Sequence, residues 1–194
     1  MRQIKSLQQT LLILLLFLPF CVLAEAELLT LEIGDEAEVD IRVFKADGDK
    51  LLLGFACDEG QSVAEEFTAE SLAEDGVEVW MPDMLGGYML PKTRSSIYSI
   101  PSEGLYRVME EAMETGKKVF LIASGPDTEL VLRVANEWEA KHDGTAAGLA
   151  GVVLMFPRLN EGKPEPGKEP EYVEAVGKTK EVPLLLLEGE RTPN

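Results

Sequence analysis

Val119-Phe120-Leu121-Ile122-Ala123-Ser124-Gly125-Pro126-Asp127 is the passage on which the reading of this chain turns. An unbroken apolar run from Val119 to Ala123 suits a strand covered on both faces. Ser124 and Gly125 interrupt it. Pro126 then fits the first turn of a helix, because it lacks the N–H that a helix start leaves unpaired. Leu130, Val131, Val134, Ala135 and Trp138 follow at spacings of three and four, so the predicted helix has one apolar face. Lys141 and His142 fall in its last turn, where positive charge complements the helix dipole. The passage reads as strand, tight turn and helix.

The same alternation extends in both directions. Upstream, Leu28–Ile33 and Val39–Phe44 are predicted strands joined by Gly34-Asp35-Glu36. In the second, Val39, Ile41 and Val43 alternate with Asp40 and Arg42, which predicts a half-exposed edge strand. Leu51–Ala56 is apolar throughout. A helix is predicted from Ser62, with Ser62 and Glu65 as a capping box, a buried stripe of Val63, Phe67 and Leu72, and Gly76 as its stop. Val77–Met81 is the next strand, and Asp83–Pro101 reads as a long irregular segment. Ser102 is the expected N-cap of a helix whose Leu105, Val108, Met109, Ala112 and Met113 form one apolar face before Gly116 ends it. Downstream, Leu149–Phe156 is a buried strand. Asn160–Thr179 reads as a mobile excursion with a short helix near Tyr172–Val176, and Val182–Leu187 is the last strand. Repeated β-α-β units with apolar strands predict a three-layer α/β sandwich: a mostly parallel sheet of about seven strands, helices on both faces, and an antiparallel N-terminal edge.

Outside this domain lies a different kind of segment. Arg2 and Lys5 precede the apolar run Leu11–Leu18, Pro19 breaks it, and Val22-Leu23-Ala24 offers small-residue cleavage before Glu25. That order predicts a secretory signal peptide over residues 1–24 and a single domain over 25–194, exported to the periplasm or the exterior. Two other readings stay open. An uncleaved anchor is disfavoured by the short apolar run, and lipid attachment at Cys21 is disfavoured by Pro19 and Phe20. The chain carries a net charge of −17. Removal of Arg2 and Lys5 makes the balance more negative still, which argues against nucleic acid or an anionic membrane as a partner. Cys57 is then the only cysteine, so no internal disulfide can form, and a lone histidine, His142, leaves no zinc site of the usual kind. No cofactor motif is present.

Four passages in this order resemble the α/β-hydrolase superfamily. Leu53-Gly54-Phe55-Ala56 ends a strand where that superfamily places an oxyanion-hole loop. Val79-Trp80-Met81-Pro82-Asp83-Met84-Leu85-Gly86-Gly87 resembles its strand followed by P-D-x-x-G. Val119–Asp127 resembles its nucleophile elbow, and Val182–Glu190 resembles the strand before its catalytic acid. The likeness spans about residues 28–194 and implies the fold of esterase-type hydrolases.

The positions that would carry the chemistry depart from the family pattern. An elbow needs G-x-S-x-G, because small neighbours permit the strained turn that exposes the serine. The best register here puts Gly125 at the nucleophile and Asp127 at a small-residue position. A one-residue slip makes Ser124 the nucleophile, flanked by Ile122 and Pro126. Thr192 stands near the expected acid. The base should be a histidine beyond a further strand, before which this sequence stops, and His142 belongs to the far end of the elbow helix. A serine nucleophile needs a base and an acid to orient it, and neither is supplied.

The expectation is therefore an exported protein of this frame without a recognisable triad, binding a protein partner or small ligand through Cys57, Asp58, Asp83, Gly125 and Asp127. The competing expectation is an atypical esterase using Ser124 or Cys57. Each residue also has a plainer role. Ser124 can cap the following helix, Cys57 can be an inert thiol in acidic surroundings, and Asp83, Gly86, Gly87 and Tyr88 can form a structural turn. Ser124, Gly125 and the helix start could hold an anion, against which Asp127 counts. A thiol-dependent redox role is weakened by the absence of Cys-x-x-Cys.

Overall fold

A seven-stranded mixed sheet organises the protein, with strand order β1-β2-β4-β3-β5-β6-β7. A computed structural model describes residues 26–34, 37–55, 63–162 and 165–189. The strands are β1 (Glu27–Glu32), β2 (Glu38–Phe44), β3 (Lys50–Gly54), β4 (Val77–Pro82), β5 (Lys118–Ser124), β6 (Leu149–Met155) and β7 (Leu184–Leu187). The helices are α1 (Val63–Glu74), α2 (Met84–Gly87), α3 (Ser102–Glu114) and α4 (Thr128–Lys141). β2 runs antiparallel to both neighbours, and β4, β3, β5, β6 and β7 are parallel. The expected α/β sheet with an antiparallel N-terminal edge is what the chain forms, although β2 lies inside the sheet and β1 is its edge.

The two faces of the sheet are covered unequally. Alternating residues send Leu51, Leu53, Val119, Leu121, Val152 and Leu154 to one face, where α3 and α4 bury Leu105, Val108, Met109, Leu130, Val131 and Trp138 in one continuous core. The opposite face holds a small cluster of Phe44, Val79 and the α1 residues Ala69 and Ala73. Burial at the usual ~25 cal/mol per Å² of apolar surface is therefore concentrated on the α3/α4 side. No described helix covers β6 and β7 on the α1 side. Leu184, Leu185, Leu186 and Leu187 form the expected last strand and are 44–53% exposed.

Several local expectations are corrected. Phe67 is 67% exposed, because Ala69, Leu72 and Ala73 make the inward stripe of α1 instead. Ser102 is the first helical residue behind Pro101, and its hydroxyl donates to Glu137 rather than capping α3. The irregular stretch after Asp83 contains α2 and a 3-10 turn at Arg94–Ser99, with Met84, Leu85, Ile97 and Ile100 buried. The excursion after β6 is tied down. Asn160 and Tyr172 form an antiparallel bridge, Ala175 is buried, and Asn136 Nδ2 donates to the Ala175 carbonyl; the Tyr172–Val176 stretch is a turn, not a helix. The leader at residues 1–24, the Ser62 cap, Cys57, Asp58 and Thr192 lie outside the described residues.

Candidate functional site

The chain turns sharply at the end of β5, on the sheet's carboxyl rim. Ser124 is still extended, with φ −124° and ψ 152°. Gly125 then adopts φ 56°, the left-handed region where a side chain costs about 1–2 kcal/mol. The turn is held from two sides. The Gly125 carbonyl accepts from the buried Thr128 hydroxyl at 2.7 Å and from the Arg158 N–H at 3.1 Å, tying it to the helix that follows and to the loop after β6. Asp127 is the N-cap residue of α4 and is buried, but its carboxylate makes no capping hydrogen bond. Ser124 likewise makes no side-chain cap, so its expected capping role is not what the turn uses.

Beside this turn, between α1 and the thinly covered face of the sheet, is a cavity of about 320 Å³. That is the lower end of the size range for small-molecule sites. Its floor comes from Leu52, Val79 and Ile122, and its wall from Ala69 and Leu72 of α1. Ser124, Pro126 and Asp127 close one end. The cavity is mostly apolar because β3 and β5 bring their second-face side chains to it. Gly54, which has no side chain, stands beside Ile122 and leaves the space open. Asp127 places a carboxylate at the start of α4, where an anion would otherwise be favoured, so the anion reading loses support.

The other expected residues are distributed elsewhere. Asp83 caps α2, its Oδ1 accepting from the Gly86 N–H at 2.8 Å, and it lies 3.8 Å from the Lys92 ammonium. A Cβ on Gly87 would fall 2.4 Å from Val39, and one on Gly104 would meet the Tyr88 hydroxyl, so this loop is packed rather than open. Burial, aided by nearby Glu103, raises the Tyr88 hydroxyl above its ordinary pKa. His142 is the C-cap residue of α4, with Nδ1 2.7 Å from the Trp138 carbonyl and its ring 4.2 Å from the indole. At 1.5 Å rise per residue the helix puts it roughly 20 Å from Gly125. Of the sequence candidates, the structure brings Ser124, Gly125 and Asp127 together and leaves Asp83 and His142 apart. Among the described residues, no group of three or more His, Cys, Asp or Glu side chains could hold a metal ion.

Sequence reasoning missed Glu139. This buried carboxylate accepts backbone N–H bonds from Lys180 at 3.0 Å, Glu181 at 2.9 Å and Val182 at 2.7 Å, fixing the chain just before β7. Burial pushes its carboxyl up. The N–H groups of Lys180, Val182 and Glu181, with the Lys180 charge, outweigh that and hold it below the ordinary value. The signal was legible in the spacing, since Val131, Ala135 and Glu139 are at i, i+4 and i+8, which puts an acid on the apolar stripe.

Solved structures share this fold. Dienelactone hydrolase from Anabaena variabilis aligns with a TM-score of 0.61 at 15% identity, over 84% of this chain and 73% of that one. Esterase Est22 aligns at 0.56 and 11% identity, over 82% and 52%. A soluble variant of monoglyceride lipase from Saccharomyces cerevisiae aligns at 0.51 and 18% identity, over 73% and 49%. The chain has the α/β-hydrolase fold. It spans about half the length of the esterase and the lipase. No family model matches the sequence, and no curated protein matches it in sequence. No helix among the described residues is long and apolar enough to cross a membrane.

Proposed function

We propose that this protein is an exported, non-catalytic relative of α/β-hydrolases that binds a small apolar ligand, of acyl-chain character, in the cavity beside α1. The observation that carries this reading is the elbow. The left-handed turn that presents a nucleophile in such enzymes is formed here at Gly125, a residue with no side chain. A hydroxyl nucleophile also needs a base within about 3 Å, and the chain's one histidine caps the opposite end of α4. The mostly apolar cavity lining supports an aliphatic ligand, and the Arg2–Ala24 pattern supports export.

A second reading rests on Ser124, which is exposed and lines the cavity. The solved structures named above as a hydrolase, an esterase and a lipase give it a precedent in fold. It requires a base other than His142, which caps the far end of α4.

The test of the favoured reading uses protein recovered from the exported fraction of its producing cells. Its intact mass should correspond to a chain starting at Glu25. A fluorescent fatty-acid probe should bind it saturably at one site, and Ala69→Phe, which fills the cavity from α1, should weaken binding at least tenfold with an unchanged near-ultraviolet circular dichroism spectrum. An unprocessed mass, or probe binding indifferent to Ala69→Phe, overturns the reading.

A further inference from the structure

The cavity beside α1 is divided along its length between apolar and polar groups. Leu52 of β3 and Val79 of β4 lie deep in it, and Ser124 and Asp127 stand where β5 leaves the sheet. Because β3 and β4 are parallel, the helix between them starts at this same carboxyl rim and runs back along the sheet. Glu65, in the first turn of α1, therefore lies at the rim with Thr68 a turn below, and Leu72 is about 10 Å deeper than Glu65 at 1.5 Å rise per residue.

The rim is acidic. Its polar groups are the Glu65 and Asp127 carboxylates and the Ser124 and Thr68 hydroxyls, and no Lys, Arg or His is among the described residues that line the space. The segment joining Phe55, in the lining, to α1 adds Asp58 and Glu59 and no basic residue. Arg42, 4.0 Å from the sulfur of the lining residue Met81, is also 4.0 Å from the Glu66 carboxylate, which offsets its charge. Each helix start carries about half a positive charge against a full negative charge on each carboxylate, so the rim stays negative. One Glu65 oxygen is buried, where water screens a neighbouring charge less than in bulk. An ionised carboxylate has about four lone-pair sites, so hydrogen bonds within the protein leave it acceptors for a ligand. The chain's net charge of −17 adds a field of the same sign.

We propose that the ligand is an aliphatic primary amine, with its chain in the apolar part of the cavity and its ammonium at the rim beside Glu65 and Asp127. This assignment rests on the cavity being the protein's ligand site, and narrows the ligand's class. An ammonium brings three donors to a rim built of acceptors. A fatty acid enters by its chain alone, and its carboxylate makes it the weaker ligand.

Isothermal titration calorimetry at neutral pH with octylammonium, 1-octanol and octanoate compares three heads on one chain. Octylammonium should bind at least tenfold more tightly than octanoate, with octanol between them, and Ala69→Phe should weaken all three. Glu65→Gln should lower the octylammonium-to-octanoate preference at least threefold with an unchanged near-ultraviolet circular dichroism spectrum. Glu114→Gln removes the same charge from the exposed end of α3, on the other face of the sheet, and should leave the preference as it was. Octanoate binding as tightly as octylammonium, or a preference that Glu65→Gln alters no more than Glu114→Gln does, overturns the amine assignment while the cavity stands as a ligand site. Failure of all three to bind, or binding indifferent to Ala69→Phe, overturns the cavity reading and the amine assignment with it.

Discussion

At Gly125 a single left-handed residue turns the chain from β5 toward α4. Its surroundings are uncrowded, since a Cβ at this position would meet no atom within 4 Å beyond its chain neighbours, so the barrier to a side chain there is conformational rather than spatial. Gly125→Ser should therefore fold, with urea denaturation showing a loss of about 1–2 kcal/mol. It should not hydrolyse p-nitrophenyl esters, because His142 lies at the far end of α4; turnover in that variant would show that another group serves as the base. The turn between strand and helix was legible beforehand from Ala123-Ser124-Gly125-Pro126-Asp127 alone. What the sequence could not convey was that Ser124 stays in the strand and faces the cavity, because that depends on which strands flank β5 and on what covers them.

Elements differ in how far their own pattern decides them. α3 and α4 have strong apolar stripes and pack where those stripes predict. α1 does not. Its large apolar residue, Phe67, points to solvent, and two alanines with Leu72 make its contact, a stripe too slight to stand out in sequence. β7 is a tetraleucine that reads as core and is exposed, because periodicity reports a residue's chemistry and not whether a neighbour arrives to cover it. Its position depends instead on Glu139 at the end of α4. That carboxyl's folded value is depressed, so its contribution is present above its unfolded value near 4.3 and is lost as pH falls through the folded value. Glu139→Gln should cost on the order of 1–3 kcal/mol near neutral pH. The gap between wild type and variant in denaturant melts should close as pH drops below about 4. A gap that stays constant in acid would show that the ionised carboxylate is not what holds Lys180–Val182.

Over the whole molecule, the asymmetric covering of the sheet joins these observations. One face is sealed by α3 and α4. Among the described residues the other carries only α1, which leaves the cavity at the end of β5. The order of elements, and with it the α/β-hydrolase fold, was readable from alternating apolar runs and punctuating glycines. The unequal faces were not, because both faces of β3, β5, β6 and β7 carry apolar residues. If this frame binds and does not hydrolyse, its serines should be inert toward reagents that trap an activated nucleophile. Exhaustive labelling of the folded protein with a fluorophosphonate probe, read by mass spectrometry, should give no adduct on any serine above the level of the denatured chain. A stoichiometric adduct on Ser124, abolished by Ser124→Ala, would contradict the non-catalytic reading.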